Sequence, residues 1–222
     1  MPCVTHVLAL PLSPQLTTLS GWPTPPHAEA TMNSTYSPTH DEAIAATSKW
    51  LDVAVIGLNL CPFAKSVQVK KQVRYVVSDA TDSDALLADL ERELLHLDAV
   101  APAITDTTLL IHPYVLTDFD DFTDFLDLID VVLRTQGLAG NLQVANFHPD
   151  YCFADAEPDA ISNYTNRAPY PTLHLIREAS IDRAVAACPD ASEIYERNIE
   201  TLERMGLEGW RALGVDAPKE LP

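Results

Sequence analysis

The chain has 222 residues, with 14 Lys or Arg against 32 Asp or Glu, so its formal net charge at pH 7 is −18. A surface this acidic argues against binding to nucleic acid or to anionic membranes, because both are negatively charged and attract Lys and Arg. Apolar residues make up 47% of the chain, which suits one globular domain, and no apolar run approaches the roughly 20 residues of a membrane helix.

Residues 1–40 are predicted to be a disordered, Pro-rich tail. Seven of the 17 prolines lie in this stretch, and each fixes φ and removes a backbone donor. Residues 1–48 contain no Lys or Arg, whereas a secretory signal or a transit peptide needs basic residues. We therefore expect a cytoplasmic protein. A translation start at Met32, with 1–31 an artefact of the gene model, and a genuine flexible tail are both compatible with this composition.

Hydrophobic periodicity predicts one α/β or α+β domain over residues 41–213, followed by a C-terminal tail over 214–222. In chain order the predicted elements are a helix over 41–57, a strand over 72–78, a helix from Asp82 or Ser83 to Leu97, a strand over 107–112, a helix from Asp118 to the glycines at 137 and 140, strands over 141–147 and 172–177, and helices over 180–187 and 192–205. Because strands alternate with helices, we expect about four strands in a mixed, mostly parallel sheet.

Histidines follow two of the predicted strands directly. His112 ends the second strand and His148 ends the third, and ligands in open α/β sheets bind beyond the carboxyl ends of parallel strands. An antiparallel fourth strand would bring His174 to the same edge. We predict that His148, within the segment NFHPDY, is a general acid or base. The alternative is that each histidine only satisfies backbone hydrogen bonds at a strand end.

The loop over residues 149–171 is longer than a compact domain normally contains without a use for it. Arg167 lies in this loop, and Pro169 and Pro171 restrict the backbone after it, so its guanidinium can present a fixed fork to a carboxylate or phosphate. Pairing of Arg167 with acidic residues of its own loop is the competing interpretation. The other predicted substrate-binding residues are Asn146, Asn163, Tyr164, Asn166, His174, Lys65 and Arg74.

Charge is distributed unevenly along the chain. Residues 79–130 contain 14 acidic residues and one basic residue, Arg92, whereas residues 49–78 contain five basic residues and one acidic residue. The basic segment, to which Lys65 and Arg74 belong, is explained either by an anion-binding site or by pairing with the acidic helices.

The four cysteines are Cys3, Cys61, Cys152 and Cys188, and their spacing matches no zinc framework, so we expect free thiols. Cys61 precedes Pro62, a residue suited to the first position of a helix. If Cys61 caps that helix, its pKa is lowered and it can act as a nucleophile. A buried, inert cysteine is the alternative, because apolar residues surround it in the sequence.

Four segments of the sequence resemble the bacterial domain-of-unknown-function 1415 family over about residues 41–213. They are GLNLCPFAKSVQVKKQVRYVVS, NFHPDYCF, NYTNRAPYPTLHLIREASIDRAV and IYERNIETLERMG. Four long segments in the same order make the resemblance specific. It implies a small cytoplasmic domain and supplies no activity. Residues 1–40 lie outside it, which favours the start at Met32.

Three functional hypotheses follow. The first is an enzyme acting on a small anionic metabolite, with His148 as acid or base, Cys61 as nucleophile and Arg167 holding the substrate. The second is a divalent-metal site built from His112, Asp150, His148 and His174, in the style of two histidines and a carboxylate. The third is a non-catalytic module that binds an anionic metabolite. We expect no nucleic-acid or membrane partner, and the sequence leaves the oligomeric state open.

Overall fold

A four-stranded mixed sheet is the centre of the fold. The computed structural model describes residues 37–186 and 193–216. The strands are β1 (Val73–Val77), β2 (Thr107–Ile111), β3 (Leu142–Phe147) and β4 (Thr172–Arg177). Their order across the sheet is β1-β2-β4-β3; β1 and β2 are parallel, and β4 is antiparallel to both of its neighbours. The predicted fold class with a mixed sheet is confirmed. Three strands point the same way, although the insertion of β4 leaves β1 and β2 as the one parallel neighbour pair in this sheet.

Six α-helices occur in the described parts of the chain. They are α1 (His40–Trp50), α2 (Ala64–Val69), α3 (Ser83–Ala99), α4 (Phe119–Thr135), α5 (Glu178–Ala186) and α6 (Ile194–Leu213). A π-helical turn, Leu51–Ile56, continues α1, and a 3-10 turn, Ile161–Thr165, lies within the long loop. Asp82 and Asp118 accept hydrogen bonds from the first backbone N–H groups of α3 and α4, as their positions before the apolar stripes predict.

The two faces of the sheet bury two separate hydrophobic clusters, because alternate residues of a strand point to opposite faces. Leu110 and Leu173 belong to the cluster that contains the apolar stripes of α3 and α4. Leu109 and Ile176 belong to the cluster that contains Trp50 of α1 and residues of α6. A side chain on one face is therefore separated from the other face by the sheet itself.

The folded part extends beyond both predicted boundaries. Thr39 forms a capping box with Glu42 at the start of α1, and the carbonyl of Pro38 accepts a hydrogen bond from Tyr114 Oη at 2.6 Å. Residues 37–40 are thus ordered, contrary to the predicted tail; the prediction for 1–36, including the start at Met32, lies outside the described residues. Val215 is buried in the second cluster, so the domain continues past residue 213. Residues 217–222 of the predicted C-terminal tail also lie outside the described residues, as do Cys3 and Cys188.

The last helix does not end at Gly206, where the sequence predicts its end. Gly206 adopts φ 68° and ψ 174°, which interrupts the helix, but helical structure resumes and continues to Leu213. Trp210, beyond the interruption, is buried in the second cluster. Burial of this large side chain favours continuation of the helix after a glycine that would otherwise end it.

Candidate functional site

His112, at the carboxyl end of β2, is fully buried against α4. Its Nδ1–H donates to the carbonyl of Val115 at 3.0 Å, and its ring stacks on Phe122 with ring centroids 5.7 Å apart. Its Nε2 atom is buried and has no hydrogen-bond partner among the described residues. Burial lowers the pKa of His112 to about 4, so the ring is neutral near pH 7.

His148, at the carboxyl end of β3, is also fully buried. The backbone N–H of Asp150 donates to its Nδ1 atom at 3.0 Å, which leaves Nε2–H to donate to the carbonyl of Leu116 at 3.2 Å. Its ring contacts the rings of Phe119 and Phe122, and burial lowers its pKa. Both ring nitrogens are used by the backbone. This geometry matches the alternative interpretation of His148 as a structural strand-end residue and leaves no ring nitrogen free for proton transfer.

Of the four residues of the metal hypothesis, the structure brings only His112 and His148 together, where both rings contact Phe122. Asp150 is exposed and meets His148 through its backbone N–H rather than through its carboxylate. His174 pairs with Leu109 and lies on the opposite face of the sheet from His112 and His148. Within residues 37–186 and 193–216, no three His, Cys, Asp or Glu side chains are grouped so that they could hold a metal ion.

Arg167 holds the long loop together. Its Nε atom donates to the carbonyl of Tyr151 at 3.1 Å and its Nη2 atom to the carbonyl of Pro158 at 2.9 Å. The guanidinium carbon lies 4.3 Å from the centre of the Tyr164 ring. Arg167 therefore contacts backbone carbonyls and an aromatic face, and not the acidic side chains of its own loop.

The other polar candidates of the loop also contact protein groups, in the loop itself, in β3 and in α6. Asn163 is fully buried; its Oδ1 atom accepts from the N–H of Phe153 at 3.0 Å and its Nδ2 atom donates to the carbonyl of Glu157 at 2.9 Å. Asn166 donates to the carbonyl of Asn146 at 3.4 Å, and Tyr164 packs edge-on against Trp210. The Oδ1 atom of Asn146 is buried without a partner in the described structure. Asn163 thus binds backbone groups of the loop, and Asn166 joins the loop to the end of β3.

The two predicted basic substrate-binding residues, Arg74 and Lys65, do not lie in one site. Arg74, on β1, donates to Glu93 of α3 at 2.9 Å, and the Glu93 side chain is only 4% exposed. This is the pairing of the basic segment with an acidic helix. Lys65, on α2, is exposed and does not line the cavity described next.

A cavity of about 670 Å³ lies against the face of the sheet opposite α3 and α4, and we call it the sheet cavity. Its floor is formed by buried residues, and its mouth is marked by exposed lining residues near the amino ends of β1 and β2. The buried floor includes Trp50, Leu51, Val55, Leu109, Phe147 and Ile176. The exposed lining residues are Ser66, Lys70, Pro102, Ala103 and Arg183. The cavity thus opens at the edge of the sheet opposite to the predicted one.

The short helices beside the cavity explain why this face is not filled. Neither α2 nor α5, which both contribute lining residues, contains a fully buried residue. Ile181 of α5 and Val67 of α2 line the cavity, but neither side chain is buried. In contrast, α3 and α4 contribute nine buried residues to the opposite face, five from α3 and four from α4.

Cys61 lines the sheet cavity as a free thiol. Phe63, not Cys61, is the N-terminal cap of α2. Burial raises the pKa of the Cys61 thiol and outweighs the opposing hydrogen bonds from the backbone of Phe63 and Ala64. The prediction that a helix N-terminus lowers this pKa is therefore wrong, because the desolvation of the thiolate is the larger effect.

His174 lines the same cavity from the central strand β4 and is half-buried. The hydroxyl of Thr107 donates to the carbonyl of Leu175 at 2.6 Å, so its oxygen accepts from Nε2–H of His174 at 2.7 Å. No described residue forms a hydrogen bond with Nδ1 of His174. Burial lowers the pKa of His174 to about 4, so the imidazole is neutral near pH 7.

The mouth of the cavity carries a net positive charge. Lys70 forms no ion pair with any residue that the structure describes, whereas Arg183 lies 4.0 Å from Asp106. Asp106 also accepts a hydrogen bond from the Ser180 hydroxyl at 2.7 Å. One unpaired Lys beside one compensated pair makes this opening cationic on a protein of net charge −18. The individual polar residues of the mouth were not among the predicted site residues, although Lys70 lies in the basic segment.

The model of the family described as "Protein of unknown function (DUF1415)" matches residues 42–212 of this chain. The chain belongs to the DUF1415 family. No curated protein and no solved structure matches it. None of the helices in the described ranges is long and apolar enough to cross a bilayer.

The segments that carry the DUF1415 resemblance divide between the two edges of the sheet. The first contributes Cys61 and Lys70 to the sheet cavity, and the third contributes His174 and Arg183. The segment NFHPDYCF forms the closed carboxyl edge around His148. The cavity is thus built from parts of the chain that lie more than 100 residues apart.

Proposed function

We propose that this DUF1415 protein binds a small organic anion with an apolar body in the sheet cavity. The observation that carries the proposal is the combination of a buried apolar floor with a cationic mouth. Ligand sites are typically mainly apolar concavities of about 300–1,000 Å³ with a few polar groups that orient the ligand. A cavity of about 670 Å³ is in this range.

The apolar floor is expected to supply most of the affinity. Burial of a methylene contributes about 0.8 kcal/mol, so a chain of seven or eight carbons outweighs a solvent-exposed charge contact of about 1 kcal/mol or less. Loss of translational and rotational freedom offsets part of a gross gain of about 6–7 kcal/mol, so we expect a dissociation constant of hundreds of micromolar or weaker.

The charge at the mouth is expected to orient the ligand. Lys70 has no carboxylate partner in the described structure, so an anionic group can meet it without displacing an internal pair. We therefore propose Lys70, rather than Lys65 or Arg74, as the residue of the basic segment that meets the anion. The apolar part of the ligand would then point toward Leu109 and Phe147 on the floor.

The protonation states in the cavity favour binding over catalysis. A general base works best with a pKa near the working pH, and the pKa of His174 is about 4. The raised pKa of Cys61 keeps it as a thiol, which is a poor nucleophile. An enzyme that uses both residues is the second candidate, because they line one cavity, and it predicts chemical change of the bound molecule.

Calorimetric titration with octanoate and its neutral analogue octanamide tests the proposal. We expect saturable one-to-one binding of octanoate, several-fold tighter than that of octanamide. Ala184→Phe, which adds a ring at a half-buried lining position of α5, should abolish binding. Ala186→Phe is the matched control, because Ala186 lies on the same helix but is exposed and does not line the cavity.

A second pair of variants tests the role of charge. Lys70 directly follows α2. Lys70→Glu should weaken octanoate binding about three- to tenfold, whereas Lys65→Glu, on α2 but outside the cavity, should change it less than twofold. Absence of octanoate binding, or equal binding by Ala184→Phe and wild type, would contradict the proposed function. Conversion of a bound acid to a new product would favour the enzyme.

A further inference from the structure

We infer that the ligand of the sheet cavity presents a hydrogen-bond donor, a hydroxyl or an N–H, to Nδ1 of His174, and that Thr107 sets this polarity. The inference rests on the proposed function and adds the chemical class of the ligand. It describes an organic acid that carries a donor group at a distance from the acid, with an apolar body between the two.

The two contacts of the Thr107 hydroxyl fix the position of its hydrogen atom. The Thr107 hydroxyl contacts both the carbonyl of Leu175, at 2.6 Å, and Nε2 of His174, at 2.7 Å. A hydroxyl has one hydrogen to donate, and a carbonyl oxygen can only accept. The hydrogen of Thr107 therefore goes to Leu175, and the hydroxyl oxygen is left to accept from Nε2–H of His174.

The role of Nδ1 of His174 follows from the chemistry of imidazole. A neutral imidazole carries one N–H and one nitrogen with a free lone pair. Because Nε2 carries the hydrogen, Nδ1 is an acceptor. His174 remains neutral near pH 7 because its burial disfavours the charged form.

Leaving Nδ1 of His174 without a hydrogen-bond partner weakens ligand binding. Nδ1 forms no hydrogen bond inside the described domain, and the ring lines a cavity whose floor is apolar. A ligand that covers this side of the ring with carbon removes Nδ1 from water without replacing the hydrogen bond. An ether or carbonyl oxygen placed there adds repulsion between lone pairs. A hydroxyl or N–H restores the bond, so it is preferred.

The probes are matched acids that differ at the group far from the carboxylate. Octanoate is compared with 8-hydroxyoctanoate and 8-methoxyoctanoate, and 3-phenylpropionate with its 4-hydroxy and 4-methoxy derivatives. We expect at least one hydroxylated acid to bind wild-type protein about tenfold more tightly than its parent, which corresponds to about 1.4 kcal/mol. The methoxy acids, which accept but do not donate, should show no such gain.

Two variants identify the groups responsible. His174→Phe should remove the preference, so that the hydroxylated acid and its parent bind with equal affinity. Thr107→Val, which removes the hydroxyl, should reduce the preference, and Thr107→Ser, which keeps the hydroxyl, should retain it. A preference that survives His174→Phe would overturn the inference.

Nitrogen-15 NMR of His174 in the wild-type protein gives a test that needs neither ligand nor variant. We expect a protonated Nε2 and an unprotonated Nδ1 at pH 7. A proton on Nδ1 would overturn the inference whatever the binding data. Parent acids that bind without any preference for hydroxylated forms would refute the inference and leave the proposed function intact, whereas failure of all acids to bind would refute the proposed function.

Discussion

The two faces of the sheet carry histidines in different physical situations. His148, at the closed carboxyl edge, gives both ring nitrogens to backbone groups and is fully buried. His174, on the other face, gives one nitrogen to Thr107 and keeps the other free beside a cavity. A strand position therefore indicates which residues lie close together, but the covering elements decide which of them a ligand can reach.

Acidification should produce the largest change in stability. His112 has a pKa of about 4 in the folded protein, against an ordinary value of 6.5 in the unfolded chain, so the unfolded state binds the proton first. Its contribution to stability is complete above about pH 6.5 and is lost as the pH falls, reaching a loss of about 3 kcal/mol near pH 4. His174, with a similar pKa, should add a second loss over the same range.

Urea unfolding at a series of pH values, for wild type and His112→Phe, measures this effect. Many carboxylates also titrate at low pH. The contribution of His112 is therefore the difference between the two proteins in how steeply the free energy of unfolding changes with pH. Parallel curves for the two proteins would mean that His112 accepts a proton in the folded state as readily as in the unfolded one.

The sheet was largely predictable because local patterns define its strands. The residues 172–177 read as a strand and form β4, and the other three strands were predicted within one residue at each end. Strand order was not predictable, because no local pattern indicates that β4 inserts between β2 and β3. Without that order, the rule for parallel sheets pointed to the carboxyl edge, whereas the cavity opens at the amino ends of β1 and β2.

The candidate site was predictable only in part. Cys61 and His174 were selected and do share the cavity, whereas Arg167 and Asn163 were selected and stabilise the loop. A long loop that closes over a sheet edge must satisfy its own backbone, and the side chains that do so are of the same types that bind anions. The sequence does not separate these two uses of a polar side chain.

Asn163→Ala should cause the second largest effect, a loss of about 2–3 kcal/mol in the free energy of unfolding. Asn163 is fully buried, and its removal leaves the N–H of Phe153 and the carbonyl of Glu157 without these partners. Octanoate affinity should not change, because Asn163 does not line the sheet cavity. Asn166→Ala, which removes a longer hydrogen bond, is the milder comparison. Loss of octanoate binding in a folded Asn163→Ala protein would make the loop part of the site.

Arg167→Lys should have a smaller effect, about 1 kcal/mol in stability. Lys keeps the positive charge but cannot reach the carbonyls of Tyr151 and Pro158 with two separate donors. Thermal unfolding and octanoate titration of the same sample distinguish the roles. A change in affinity without a change in melting temperature would return Arg167 to the ligand site.

Alkylation of Cys61 should show the smallest effect, expressed as a rate. Its raised pKa predicts that Cys61 reacts with iodoacetamide at pH 7.5 more slowly than a fully solvent-exposed cysteine does. Octanoate should slow this reaction several-fold further. Peptide mass mapping separates Cys61 from Cys152, a free thiol outside the cavity that should not respond to octanoate. Fast modification of Cys61 in the native protein would contradict the burial argument.

The insertion of β4 between β2 and β3 has a consequence for how the domain assembles during synthesis. Within the described sheet, β3 pairs with β4 and with no other strand, and the inner edge of β2 is also completed by β4. A nascent chain that ends between residues 148 and 171 therefore leaves β3 unpaired and the inner edge of β2 open, and unpaired strand edges are templates for association with other chains. β4 closes these edges once the 24 residues 148–171 have been made, and the second cluster is completed later, when Trp210 of α6 follows.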